Sequence, residues 1–271
     1  MSTTPTTTTT DPATSIPAPA PGAARAFGGV WRLTYPRFLA PGNVLAQLGL
    51  AVGLALFGAL PIEEGQASHY FNWVVLFYLT FLVPALAFLS GAGALRDEMK
   101  PTAVDYVHTR PIRRAVLVAF KFAAHFLCSQ ASLFVALAVV VGVGVFRDIP
   151  GTLGAAPLMW LGQALGGAVF MALGFFFASL TSRYLVLGLL YGAVIEAGIG
   201  NIPTQLAGLS LTRHLKNLLA PVHADLVSLF SDAPGAGSTV TALLVVTALL
   251  LAASALIFNR REFAGARPKD L

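Results

Sequence analysis

Few side chains in this sequence could do chemistry, and their spacing argues against most reactions. Glu196 is the one acidic residue inside an apolar run. An ionisable group in such a run is a functional-site candidate by default, because burying it alone costs roughly 2.5–3.5 kcal/mol on insertion scales. Two roles fit it. Either it lines a substrate path, or it caps the backbone broken at Gly198 to Asn201, where free amides need acceptors. The histidines are His69, His108, His125, His214 and His223, and no H-E-x-x-H zinc motif joins any two. His214 and His223 have Asp225 and Asp232 near in sequence, which reads as polar residues at an aqueous boundary rather than a metal set. Cys128 is the single cysteine, so the chain forms no internal disulfide and no Cys-based metal site. In its apolar stretch it packs as a small hydrophobe.

A phosphate-cradling loop needs Gly immediately before its Lys. The four lysines, Lys100, Lys121, Lys216 and Lys269, follow Met99, Phe120, Leu215 and Pro268. No P-loop exists here. An intramembrane enzyme built on Glu196 or His125 would need a paired acid–base set at helical spacing, and none is present. The expectation is therefore no catalytic residue, no metal and no cofactor in this chain.

The elements that carry these residues are membrane elements. Of 271 residues 56% are hydrophobic and 11% charged, and the mean hydropathy is +0.75. An ordinary soluble domain is about one quarter charged, so this chain cannot clothe a water-facing surface. Residues 1–26 are mostly Thr, Pro, Ala and Ser and read as a disordered tail, with neither the basic nor the apolar region of a signal peptide. Residues 27–42 interleave Trp31, Tyr35 and Phe38 with Arg32 and Arg37. That mixture favours the headgroup layer, and Pro36 and Pro41 limit any helix there to a couple of turns.

Six apolar stretches follow within residues 43–263: Val44 to Leu60, Phe71 to Gly93 with a kink at Pro84, Ala115 to Phe146, Leu153 to Leu180, one from Tyr184 broken at Gly200 to Pro203, and Thr239 to Phe258. A spanning helix needs about 20 apolar residues. Small residues four apart occur at Gly49 and Gly53, Ala87 and Gly91, and Gly162 and Gly166, a spacing that lets helices approach closely. With the N-terminus inside, 14 of the 17 Lys and Arg residues fall on inner segments, including the tail 264–271, and Arg147, Arg213 and Lys216 fall outside. The positive-inside rule then places both termini in the cytoplasm. The net charge of +5 reflects this placement and does not point to nucleic acid.

The most charged segment runs from Gly93 to Lys121. Pro101 suits the first turn of a helix and Pro111 ends it, leaving about two turns from Thr102 to Thr109. Ala103, Tyr106 and Val107 form its apolar side, and Asp105, His108 and Thr109 its polar side. Lying along the membrane, such a helix can serve as a docking knob; Arg113 and Arg114 beside it also suit simple anchoring. The segment resembles the membrane subunits (permeases) of type 2 ATP-binding-cassette transporters. The positions carrying the resemblance are Glu98, Thr102, Tyr106, Pro111, Ile112, Arg114 and Lys121, with Phe258 to Phe263 as the ending after the last span. Pro101 departs from it, standing where the family usually has Gly.

The resemblance implies an all-α membrane protein of the bacterial inner membrane with six transmembrane helices and both termini cytoplasmic. A coupling helix lies between spans two and three, and an external re-entrant hairpin between spans five and six. It implies that Glu98, Thr102, Tyr106, Val107, Pro111, Arg113 and Arg114 couple to a separate dimeric ATPase, which supplies ATP and Mg. A second permease copy or a homologue completes the complex. The implied function is movement of a substrate across or out of the membrane. The alternative is a mechanical transmitter or scaffold subunit without small-molecule cargo.

Overall fold

The computed structural model describes residues 22–59, 66–99, 113–202, 205–222 and 235–260. Helices take up nearly all of these, and no strand occurs among them. Among the described residues five helices are long and apolar enough to cross a membrane, which makes this a multi-pass membrane protein with an all-helical described part.

The first helix, α1, covers Ala23–Phe38 with Pro36 inside it. This corrects two expectations. Residues 23–26 are helical rather than part of a tail, and the segment makes 16 residues of helix rather than a couple of turns. The prolines permit this because of where they fall. Pro36 sits in the last turn, where it removes only one bond, and Pro41 opens the next helix, where its missing N–H costs nothing. Ala26, Val30 and Thr34 form the buried face of α1, a stripe at four-residue spacing. Val30 packs with Leu117 and Ala124 of the later helix Arg114–Phe146, flanked by Phe27, Trp31 and Phe120.

Helix α2 is Pro41–Ala59. Helix α3 runs from Ala67 to Glu98, with a wide, π-type segment over Val74–Leu82. The wide segment ends just before Pro84, whose ring cannot supply an amide to the preceding turn. Helix α4, Arg114–Phe146, is the longest at 33 residues, about 50 Å at 1.5 Å per residue. A tight turn through Asp148 and Gly151, both at positive φ, connects it to α5, Thr152–Leu180. Helix α6 comprises eight residues, Tyr184–Tyr191, continued by a wide segment, Gly192–Gly198. At about 1.5 Å per residue it reaches roughly 22 Å, short of the roughly 30 Å hydrocarbon core. Short 3-10 turns at Ile199–Asn201 and Gln205–Leu209 lead to α7, Leu211–Leu219. The last helix, α8, is Ala236–Arg260.

The core is organised around α5, which packs against α3, α4, α6, α7 and α8. Its closest neighbour is α3. A Cβ built on Gly91 would lie 2.3 Å from the Met171 carbonyl oxygen, and one on Gly174 would lie 2.3 Å from the Phe88 carbonyl oxygen. Backbone meets backbone there. Gly162 and Gly166 perform the same service for α7, receiving Leu219 and Leu215. Gly49 and Gly53 differ: nothing lies within 4 Å of either position, so their spacing marks no helix contact. The outer helices turn large apolar side chains outward, among them Leu45 and Phe57 on α2, Leu189 on α6 and Leu249 on α8. That pattern is the reverse of a water-soluble surface and fits lipid as the solvent.

Gly91→Ala and Gly174→Ala should each lower the thermal unfolding midpoint of the detergent-solubilised protein. Forcing a methyl group against a packed backbone typically costs about 1–3 kcal/mol. Gly49→Ala should leave the midpoint within error or raise it. Equal behaviour of all three variants would show that α3 and α5 do not meet at these glycines.

Candidate functional site

Two polar assemblies stand out in this apolar bundle, one at the break between α6 and α7 and one where α3 ends and α4 begins.

The first is built on Glu196. One carboxylate oxygen, Oε1, accepts from the Tyr191 hydroxyl at 2.7 Å and the Leu211 amide at 3.0 Å. The other, Oε2, accepts from the Ser210 hydroxyl at 2.6 Å, the Thr212 hydroxyl at 2.6 Å and the Thr212 amide at 3.0 Å. Ser210 Oγ in turn accepts from the Arg213 amide at 3.1 Å, as an N-cap residue does. The first three amides of α7 thus all have side-chain acceptors, and a carboxylate faces the positive end of the helix. The amides that Glu196 takes belong to Leu211 and Thr212 rather than to 198–201. The Arg213 guanidinium donates to the carbonyls of Gly200 and Ile202 at 3.5 and 3.4 Å, and His214 Nε2 lies 2.9 Å from the Gly208 carbonyl. Together these bonds satisfy the irregular backbone between the two helices. A sequence signal for this cap existed in Ser210-Leu211-Thr212, a hydroxyl N-cap opening a helix, but nothing in the sequence linked it to a carboxylate 14 positions earlier.

The second assembly joins elements far apart in sequence. Glu98, the last residue of α3, pairs with Lys121 on the second turn of α4. Lys121 is largely buried, and its ammonium also reaches the Ala94 carbonyl at 3.4 Å. One residue earlier, Asp97 pairs with Arg37 of α1 at 3.1 Å. Arg113 precedes α4 in extended conformation and Arg114 is its first residue. Thr102, Tyr106, Val107 and Pro111 lie outside the described residues, as does the whole two-turn helix expected from Thr102 to Thr109.

A groove of about 670 Å³ opens beside this second assembly, walled by α2, α3 and α4 with the end of α1 at its rim. Its end nearest Glu98 is polar and includes Arg37, Asn43, Gln47, Asp97, His125 and Ser129. Its deeper wall is mostly apolar, with Leu50, Leu86, Leu133 and Ala136; Ser90 and Ser132 also line it, and the Ser132 hydroxyl donates to the Cys128 carbonyl of its own helix. This groove is not legible in the sequence, because its lining comes from four helices whose own patterns show only isolated polar residues. His125 is 8% exposed, and its Nδ1 has no hydrogen-bond partner. The Phe38 ring meets the imidazole edge-on at a centroid distance of 5.6 Å.

Deeper still, the Tyr78 hydroxyl donates to Oε1 of Gln163 at 2.6 Å, and the Tyr70 hydroxyl to the Val140 carbonyl at 3.1 Å. These bonds fasten α3 to α4 and α5 and read as structural. Among the described residues, no three His, Cys, Asp or Glu side chains cluster as a metal set. His223, Asp225 and Asp232 lie outside them. No known family model matches the chain, and neither does any curated protein.

Glu196→Gln replaces one acceptor oxygen by an NH2 group facing hydroxyl and amide donors. Hydrogen bonds to a charged group contribute about 1.5–3 kcal/mol each. Amide exchange across 205–219 should accelerate about tenfold or more, with α3 and α5 unchanged. Exchange identical to that of the unmodified protein would show that the carboxylate does not hold the break closed.

Proposed function

We propose that this chain is the membrane subunit of an ATP-binding-cassette transporter, coupling hydrolysis by a separate ATPase dimer to movement of a substrate across or out of the membrane. The observation that carries the reading is the Glu98–Lys121 pair. It joins the end of α3 to the start of α4, the two described ends of the segment where the permease resemblance lies. The acidic residue after span two and the Lys at the start of span three, two ends of the resembling segment, meet in space.

Topology supports the same reading by parity. Five full spans would leave the two termini on opposite sides, whereas the distribution of Lys and Arg calls for both inside. A sixth crossing resolves the conflict, and α6 with α7 can supply it in two pieces. Leu215 and Leu219 of α7 rest against Gly166 and Gly162, so α7 runs antiparallel to α5 along its first half. Tyr191 of α6 meets Phe177 near the other end of α5. The pieces run in the same direction, and their combined length of roughly 36 Å exceeds the hydrocarbon core. In this reading the break between them, with the 3-10 turns, replaces a wholly external hairpin.

In operation, closure of the ATPase dimer presses on the loop between α3 and α4, and the charge pair at its base passes the load to both helices. A second permease copy or a homologue supplies the other half of the path. ATP and Mg reside in the ATPase, and the subunit sits in a bacterial inner membrane with the loop and both termini in the cytoplasm.

Two measurements test this. Reporter fusions after Gly151 and Gly235 should read outside and fusions after Ser182 and Lys269 inside; an inside signal at Gly235 would remove the sixth crossing. A P-loop ATPase encoded beside this chain should co-purify with it. Tyr106→Ala should weaken that complex or uncouple its ATP turnover, since a buried aromatic anchor commonly carries more than about 1 kcal/mol of an interface. Retention of both properties at the unmodified level would reduce the loop to a membrane anchor. Cargo-stimulated turnover in liposomes separates a transporter from a purely mechanical subunit.

A further inference from the structure

We propose that the groove between α2, α3 and α4 is a binding site for one single-chain amphiphile with an uncharged, hydroxyl-bearing head, of the monoacylglycerol type. The site stands whether or not the chain works with an ATPase.

The groove has the build of a ligand site. Its volume of about 670 Å³ lies within the usual range for small-molecule pockets. Its polarity is graded along one direction. Arg37, Asn43, Asp97 and His125 stand at the mouth, Gln47 and Ser129 one turn deeper, Ser90 and Ser132 about two turns deep beside Leu50 and Leu133, and Leu86 and Ala136 at the far end. From Asp97 to Leu86, and from His125 to Ala136, the walls are 11 residues long, about 16 Å of helix. A head at the mouth and one acyl chain along the walls match this gradient. A two-chain lipid would leave its second chain outside.

The mouth also specifies the head. Its charges already cancel, because Arg37 and Asp97 pair with each other at 3.1 Å, so a charged head would add an uncompensated charge. What remains at the mouth is a mixed set of donors and acceptors. The Asn43 amide donates to the Arg37 carbonyl, and Gln47 Nε2 donates to the Phe38 carbonyl at 3.5 Å. Each uses one N–H in this way and keeps a second N–H and a side-chain carbonyl oxygen. His125 is more than nine-tenths buried, and its Nδ1 has no partner within the protein. A buried ring nitrogen in that state is costly unless something bonds to it. Hydroxyl groups are the matching chemistry, since each can both donate to a side-chain carbonyl and accept from an amide N–H, and can pair with the imidazole nitrogen in either tautomer.

The test uses the full chain in phosphatidylcholine nanodiscs with a monoacylglycerol carrying a diazirine in its acyl chain. Illumination followed by peptide mass spectrometry should place the label on α2 around Leu50 and on α4 between Ser129 and Ala136. Unlabelled monoacylglycerol should compete. The methyl ester of the same fatty acid and the lysophosphatidic acid of the same chain should compete at least tenfold more weakly. His125→Leu and Gln47→Leu should each raise the competing concentration about threefold to tenfold, the worth of one net hydrogen bond. Ser90→Phe, which fills the groove from α3, should abolish the labelling. Leu249→Phe on the outer face of α8 should leave it unchanged. Label spread evenly over Leu189, Leu249 and the groove in the unmodified protein would show ordinary bilayer contact and overturn the proposal, even if every variant failed to fold. Equal competition by lysophosphatidic acid or by the methyl ester would overturn the assignment of the head.

Discussion

Gly91 and Gly174 let α3 and α5 approach until each glycine lies against the other helix's backbone. Lipid tails are as apolar as leucine, so helices in a membrane gain little from hiding apolar surface and associate through close packing instead. The distance between α3 and α5 is therefore the dimension from which the bundle is built. It places Met171, Phe175 and Ala178 among Ala87, Ala92 and Leu95 in one buried cluster. It also brings Tyr78 within hydrogen-bond reach of Gln163 on the other helix. A side chain at either glycine would separate the helices and take these contacts with it. The helices farther from this seam are less constrained. Helix α6 buries no residue at all, and α2 and α8 bury only narrow stripes.

A membrane helix can stop midway only if the backbone groups it frees find partners nearby. Helices α6 and α7 meet that condition through one carboxylate and a few hydroxyls. Glu196 accepts five hydrogen bonds, and Arg213 covers two carbonyls on the far side of the turns. A single ionised group among five donors is far from the isolated charge whose burial is prohibitive. This is why an acidic residue is tolerated in that apolar run. It also explains why α7 can be so short. Leu215 and Leu219 rest in the hollows left by Gly166 and Gly162, so tertiary packing supplies what nine residues of helix cannot supply alone.

Much of the helical layout was legible because apolar run length is a strong signal. The stretches from Ala115 to Phe146 and from Leu153 to Leu180 coincide with α4 and α5 almost to the residue. The errors arose where local rules met a specific position. The rule that proline ends a helix holds for interior positions, whereas Pro36 falls in the final turn of α1 and leaves its 16 residues helical. The small-residue spacing at Ala87 and Gly91 marked a contact, yet the same spacing at Gly49 and Gly53 marked none. Sequence spacing cannot say which face of a helix meets a neighbour. Glu196 could be singled out as an exception in an apolar run, but its partners at 210–212 could not, since they depend on where α7 folds back. The groove was invisible for the same reason: His125, Gln47 and Asp97 lie on three helices, and only their packing brings them to one mouth.

Two ion pairs stand side by side where α3 ends, and their surroundings give them different weights. Arg37–Asp97 is substantially exposed on both sides, and such pairs contribute about 0–1 kcal/mol. It can open and close without disturbing α1, which is held to α4 by Val30, Leu117 and Ala124. Glu98–Lys121 is largely withdrawn from solvent. There the desolvation of two charges offsets much of their attraction, so the pair adds little net stability, while removing one partner would leave the other stranded. Its consequence is geometric. It ties the last residue of α3 to the second turn of α4, with the Ala94 carbonyl as a further contact on the ammonium. The pair thereby fixes the spacing of these two helix ends, and the close backbone approach at Gly91 and Gly174 fixes α3 against α5 in turn.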